Sequence, residues 1–372
     1  MSKTLPAKAA WLRKGKAPLE VGEATYTPPG EGEIVIKNAA VAVNPLDHFK
    51  RDAGGFAFGW IKLPFIMGSD AAGEVVEVGS NVNRFKIGDR ATGQAVGMDR
   101  RSNKSSEGAF QTYTVLREVV SSPIPDTISY EQACVLPLGL STASCGLFDK
   151  DFLALQAPTL DPKPTGKTVL IWGGSSSVGC NAIQLARAAG YKVISTASPS
   201  NHALLRQLGA SEVFDYKSPT VVADIVKTLQ SHTVAGAFAI GDYSTEACIS
   251  ILGKCKGRRF IAQASVTLPE GGFPSSLPGM VPFGATMTYR GVCSMLKAKQ
   301  NGVSMKFIWG SDPAWNELGP MIYQDFLPRA LAEKKFVPAP EPMVVGIGLE
   351  YVQEGLEVNK KGVSAKKVVI KL

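Results

Sequence analysis

The sequence contains no run of about 18 apolar residues, which excludes a helical membrane span on hydropathy grounds. Its start, Met1-Ser-Lys-Thr-Leu-Pro-Ala-Lys8, lacks the apolar core of a signal peptide, so the expected location is cytoplasmic. The final Ile370-Lys-Leu372 lacks the small first residue of a peroxisomal tail. Repeats and low-complexity tracts are missing too. The six cysteines (Cys134, Cys145, Cys180, Cys248, Cys255, Cys293) include no Cys-x-x-Cys pair, and several lie among apolar residues. They read as free buried thiols rather than as disulfides or metal ligands. The three histidines, His48, His202 and His232, are far apart and in no metal-ligand spacing, so no metal is expected.

An excess of one charge is modest: 40 Lys and Arg against 32 Asp and Glu give a net charge of +8. The basic pairs Arg100-Arg101, Arg258-Arg259, Lys334-Lys335 and Lys360-Lys361 are spread along the chain and read first as solvated surface. A sharper reading is attraction to an anionic small partner: a dinucleotide, a coenzyme A thioester or an acidic carrier protein. Nucleic acid is not an expected partner.

What is present is an ordinary globular composition, 45% hydrophobic over 372 residues, long enough for two domains. The most informative stretch is 168–179, Thr-Val-Leu-Ile-Trp-Gly-Gly-Ser-Ser-Ser-Val-Gly. It reads as an apolar strand running into a glycine-serine turn, followed by a helix over 180–189 and a second strand over 191–196. Glycines there let backbone N–H groups approach a pyrophosphate at a positive helix N-terminus.

The first third reads as β-rich, with short strands at 33–37, 72–78 and 111–115. A helical run over 130–148 follows. Beyond the fingerprint, helices at 203–208 and 221–229 alternate with strands at 212–216, 235–240 and 259–263, the pattern of a parallel sheet with covering helices. The stretch 268–283 reads as a loop and 285–289 as a last strand. A helix over 316–334, a strand at 343–345, a helix near 349–358 and a strand at 366–371 are expected in the tail. The fold class is α/β, a doubly wound parallel sheet plus a β-rich domain.

Several motifs in order, Gly68-Ser-Asp-Ala-Ala-Gly73, Phe85-Lys-Ile-Gly-Asp-Arg90, Gly108-Ala-Phe-Gln-Thr-Tyr113, the fingerprint and Gly362-Val-Ser-Ala-Lys-Lys-Val368, resemble the medium-chain dehydrogenase/reductase superfamily. The resemblance covers nearly the whole chain. It implies a GroES-like catalytic domain formed by 1–135 with 301–372, and a Rossmann domain over 136–300. The zinc enzymes of that superfamily carry Cys where this chain has Asn44, and a His-Glu pair where it has Ser69-Asp70. Their four-Cys lobe has no cysteine counterpart in 91–107. The chain therefore looks like the zinc-independent branch of quinone oxidoreductases and enoyl reductases, and it is similar to fungal trans-acting enoyl reductases of polyketide pathways.

No carboxylate ends the second strand of the fingerprint; Ala197-Ser198 stands there, inside Ser195-Thr-Ala-Ser-Pro-Ser-Asn-His202. NADPH is therefore expected over NADH, with Ser198, Ser200 and Asn201 near the 2′-phosphate. Capping of the next helix by Ser198 and Ser200 is the plainer reading. The resemblance adds Tyr216 at that end, Val363 and Ser364 from the tail, and Asn44 and Asp47 near the nicotinamide. Ser175, Ser176, Ser177 and Val178 are expected on the pyrophosphate, and Gln263 beside the nicotinamide.

Reducing an activated alkene requires a hydride, a polarised carbonyl oxygen and a proton. Lys50, Thr142 and Tyr289 are the candidate donors, with water an alternative source of the proton; Lys50 reads more readily as an exposed surface lysine, and Asp47 equally as its (i, i+3) partner. Phe56, Trp60, Leu140, Phe283 and Met287 are candidate linings for an apolar substrate, or ordinary core. The expected activity is NADPH-dependent reduction of an enoyl or enone substrate, free or carrier-bound, by a monomer or homodimer. An NADPH quinone oxidoreductase and a non-catalytic nucleotide-binding protein are the alternatives.

Overall fold

The computed structural model describes residues 5–54, 58–269, 272–274 and 277–372. Among them no helix is long and apolar enough to cross a membrane. The chain divides into two compact units, Met1–Ser141 with Ser311–Leu372, and Thr142–Gly310.

The first unit is built on β-structure. Strands Glu341–Ile347, Lys366–Lys371, Glu33–Ala42, Asp70–Val78, Arg90–Gln94 and Ser121–Pro123 lie side by side in that order. Tyr113–Arg117 also pairs with the first half of Glu33–Ala42, and Ala7–Leu12, Glu20–Ala24 and Phe65–Ile66 make a small separate sheet. The tail belongs to this unit because Lys366–Lys371 runs antiparallel to Glu33–Ala42, with Val369 opposite Ala42. Helix Pro45–Ala53 starts on Asn44. It is held to the C-terminal helix Val352–Lys361 by Arg51–Glu357 and Lys360–Asp52 ion pairs, each 2.6 Å.

The second unit is a parallel sheet in the order Glu212–Asp215, Lys192–Ala197, Lys167–Trp172, Thr233–Ala239, Phe260–Gln263, Ser304–Phe307. Spatial order reverses beside the first strand, the arrangement expected of a dinucleotide-binding fold. Alternation explains the burial. Leu170, Trp172 and Ile194 join a core with Ile225, Ile249 and Leu252 of helices Val221–Leu229 and Ser244–Leu252, while Val169, Ile171 and Val193 are buried on the other face. A sheet buried on both sides needs continuous apolar strands, as Val-Leu-Ile-Trp provides.

Three expectations need correction. Residues 285–289 are not a strand, and 277–283 are not loop: both belong to the long helix Leu277–Gln300, and the last strand is Ser304–Phe307. The Thr-Met-Thr alternation imitates a strand, whereas Pro278 falls in the first helical turn, where no N–H partner is lost. The run over 130–148 is two helices, Tyr130–Ala133 and Pro137–Phe148, interrupted ahead of Pro137. The run over 316–334 breaks into Pro320–Phe326, wound as a π-helix, and Leu327–Ala332, with prolines at 320 and 328.

Candidate functional site

In the second unit, the carboxyl ends of the parallel strands lie level. Ala239 is in register with both Trp172 and Gln263, and Ala197 with Asp215. The chain leaves Trp172 through Gly173, whose φ of 81° suits glycine. Gly173 N–H donates to Thr196 Oγ1 at 3.0 Å. A Cβ on Gly174 would sit 2.1 Å from Ser195 Oγ, and one on Gly179 2.4 Å from the Gly173 carbonyl oxygen. Neither position admits a side chain without moving the turn. Helix Ser177–Ala188 is capped by Ser176, whose Oγ accepts from Gly179 N–H at 3.0 Å and donates to the Gly173 carbonyl at 2.8 Å.

The residues at this helix head, Ser175 to Val178, are half-buried and half-open. A helix N-terminus of this kind is a setting that suits an anion, although Ser176 N–H is already donated to the Gly173 carbonyl at 3.2 Å. At the end of the second strand, Ala197 is buried at 1% exposure, so Ser198 is the residue presented to solvent. Ser198, expected as a cap, makes no side-chain bond to the turn 199–201, and the cap position of helix His202–Leu208 is Asn201 rather than the expected Ser200. Among the described residues, none makes a hydrogen bond with the hydroxyls of Ser175, Ser198 or Ser200. Tyr216 is 43% exposed, with Lys217 Nζ 5.8 Å from its ring centroid. Gln263 Nε2 donates to Thr245 Oγ1 at 3.1 Å.

Thr142, half-buried on helix Pro137–Phe148, lies against Gly310, where a Cβ would stand 2.3 Å from its Oγ1. Phe283 is buried against Phe273, ring centroids 5.3 Å apart, and Met287 is half-buried. Tyr289 is 70% exposed on the long helix, one turn from the exposed Cys293, whose proximity raises the phenol's pKa. The other five cysteines are buried and form no disulfide.

The first unit holds a polar cluster of a different kind. Asn44 Nδ2 donates to Asp70 Oδ2 at 2.8 Å, and Lys367 Nζ lies 2.8 Å from the same oxygen. The Lys367 ammonium also donates to Asn44 Oδ1. Asp70 Oδ1 accepts from Leu138 N–H at 2.6 Å, in the first turn of helix Pro137–Phe148. Asp47 completes the group: its Oδ2 accepts from Asn44 N–H at 2.8 Å and its Oδ1 has no partner. Asn44, Asp47, Asp70 and Lys367 are all at least 96% buried. Burial pushes the Asp47 carboxyl up to about 7; the Asn44 N–H opposes that rise and the Asp70 charge adds to it.

Asp47 does not pair with Lys50. Lys50 is not a surface lysine either: it is 2% exposed and donates to the carbonyls of Gly54 and Phe58 at 3.1 and 3.2 Å. Burial lowers its pKa. It ties the end of its helix to the next loop, beside a cluster of Phe49, Phe58 and Trp60 rings. Trp60 Nε1 donates to the Met98 carbonyl. Leu140 is fully buried core, and Phe56 lies outside the described residues. Val363 is half-buried and Ser364 exposed after the left-handed Gly362. Lys367 is the residue that sequence reasoning missed. Its signal was a lysine inside the strand Lys-Lys-Val-Val-Ile-Lys, where every other position between the two ends is fully buried apolar.

Residues 30–126 match the family model of the alcohol dehydrogenase GroES-like domain. A Monascus ruber protein named dehydrogenase pigH is 49% identical, over 98% of this chain and 99% of its own length. The trans-enoyl reductase himH of Aspergillus japonicus is 39% identical, over 98% and 97%. Among solved structures, the quinone oxidoreductase from Coxiella burnetii superposes with a TM-score of 0.66 at 24% identity, over 98% of this chain and 99% of that one. The glycine turn at the carboxyl end of a parallel sheet, the GroES-like unit and these full-length relatives identify the chain as a member of the medium-chain dehydrogenase/reductase superfamily of oxidoreductases, among its fungal dehydrogenases and trans-enoyl reductases.

Proposed function

We propose that this protein uses NADPH to reduce carbon–carbon double bonds conjugated to a ketone, aldehyde or thioester carbonyl, without a metal ion. When bound, the dihydronicotinamide supplies hydride for the β-carbon. The observation that carries the cofactor choice is the neutral end of strand Lys192–Ala197. A carboxylate there would repel a 2′-phosphate; instead, Ser198 and Ser200 offer unspent hydroxyls. Strand register brings Tyr216 and Lys217 to the same end of the sheet, and Lys217 adds a positive charge. The N–H groups of Ser175 to Val178 hold the pyrophosphate, and Gln263 stands at the end of a neighbouring strand on the nicotinamide side.

The name trans-enoyl reductase, carried by the Aspergillus japonicus relative, supports the activated double bond as substrate. Lys50 is a poor donor to substrate because its ammonium bonds to the backbone carbonyls of Gly54 and Phe58. Thr142 is the proposed hydroxyl for the substrate oxygen. Zinc does not fit the matched positions. Asn44 and Ser69 are neutral, and Asp70 is already engaged by an ammonium and an amide. The buried Cys134 thiol nearby is pushed well up by desolvation and by the Asp70 charge, so it offers no thiolate.

The test is cofactor oxidation by the purified protein with enoyl-thioester, enone and quinone acceptors. NADPH consumption with the conjugated acyl substrates, and transfer of deuterium from labelled cofactor to the β-carbon, is expected. Turnover with quinones alone would replace this reading with a quinone reductase. Binding of NADPH without oxidation by any acceptor would remove the enzymatic reading.

A further inference from the structure

The cluster in the first unit has the outline of a cation site, and the cation is covalently part of the chain. Asp70 Oδ2 and Asn44 Oδ1 converge on one point, and Lys367 Nζ occupies it. Asp47 lies within electrostatic reach of both Asp70 and Lys367, and its Oδ1 is fully buried with no partner. Two oxygens from two separate segments therefore hold a single ammonium, with the Asp47 carboxyl nearby. A buried carboxylate must be compensated, and here the compensation is an ion pair in which both side chains are at least 96% buried. A divalent ion bonded to the same two oxygens at about 2.0–2.3 Å would overlap the ammonium and be repelled by it.

We propose that Lys367 is a built-in substitute for a bound metal ion, and that removing it converts Asn44, Asp47 and Asp70 into a divalent-cation site. The donors left behind, two carboxylates and an amide oxygen, are hard, and they select manganese or magnesium rather than zinc. The chain keeps the charge balance of a metal centre while making that balance independent of metal supply. The cluster alone supports this inference, whatever substrate the protein takes.

Manganese uptake after desalting and the melting temperature with and without added Mn²⁺ test it. The unaltered protein should retain no stoichiometric Mn²⁺ or Zn²⁺ and melt at the same temperature in either case. Lys367→Ala should melt several degrees lower, take up one equivalent of Mn²⁺ and recover melting temperature as Mn²⁺ is added; Asp70→Asn in the same background should abolish both gains. A stoichiometric metal in the unaltered protein that is lost with Asp70→Asn would overturn the proposal. So would a folded Lys367→Ala protein indifferent to Mn²⁺. Should Lys367→Ala not fold, the pair Asp70→Asn with Lys367→Met decides. The doubly neutral protein should melt above either single variant, each of which strands a buried group, and a double variant no better than the weaker single would refute compensation by Lys367.

Discussion

The glycine turn ahead of helix Ser177–Ala188 and the Asn44–Asp70–Lys367 cluster are both polar constructions beside apolar sheets, but they end differently. In the cluster nearly every donor and acceptor is taken up within the chain, and the charges cancel. At the turn, the Ser176 hydroxyl is spent on the cap, but the head of the helix, from Ser175 to Val178, stays half-open at its positive end. A site that must receive an anion leaves its donors unspent, whereas a site that only has to hold the fold spends them. Each of the following experiments changes one side of that contrast, ordered from the largest expected effect.

Neutralising Asp70 should cost most. Asp70→Asn leaves the Lys367 ammonium buried without its carboxylate, a loss of about 3–5 kcal/mol in urea unfolding. A loss under about 1 kcal/mol would mean that solvent reaches the cluster and that the two sites differ less than their burial implies. On the open side, Gly179→Ala puts a Cβ 2.4 Å from the Gly173 carbonyl oxygen. Alanine's helix propensity returns about 1 kcal/mol, and overpacking costs about 1–3 kcal/mol, so net destabilisation is expected. Because the turn must open to relieve the contact, NADPH affinity should fall by roughly 100-fold, about 2.7 kcal/mol, in a fluorescence titration. Unchanged affinity would show that the cradle does not depend on this close approach.

The two sides also differ in how much the sequence disclosed. The cradle is local: strand, glycines, capping serine and helix lie within residues 167–188, and each is required by short-range sterics that a pattern of residues displays. The cluster is assembled across 323 residues between Asn44 and Lys367, and no spacing rule joins them. Lys50 misleads for the same reason. Its place on a helix gives its neighbours at i+3 and i+4, but the loop carbonyls of Gly54 and Phe58 that bury it follow from tertiary packing. Residues 285–289 fail at an intermediate range, where a few alternating β-branched residues outweigh a longer helical context that only the packed fold enforces.

Closing the open side by charge alone should have an intermediate effect. Ala197 is buried, so a carboxylate is better placed at the half-exposed position after it. Ser198→Asp should weaken NADPH by about 10-fold or more through like-charge repulsion, about 1.4 kcal/mol, and change NADH by less than about threefold. Equal weakening of the two cofactors would place the 2′-phosphate elsewhere.

The smallest effect per step should come from protons at the closed side. Burial holds the Asp47 carboxyl at about 7, well above its value near 4 in an unfolded chain. Below about pH 4 both states are protonated and this group's contribution is complete. Between about 4 and 7 the unfolded chain has given up the proton while the fold retains it, so stability falls as pH rises, by at most about 1.4 kcal/mol per unit, and levels off above about 7. Asp47→Asn is neutral throughout and lacks this term. Urea midpoints of the two proteins, measured in parallel from pH 4 to 8, should therefore shift steadily in favour of the asparagine variant up to about pH 7. A constant difference across that window would mean that Asp47 is ionised in the fold. The cluster would then carry a second negative charge, uncompensated, beside the paired Asp70, and the first unit would hold an open site as well.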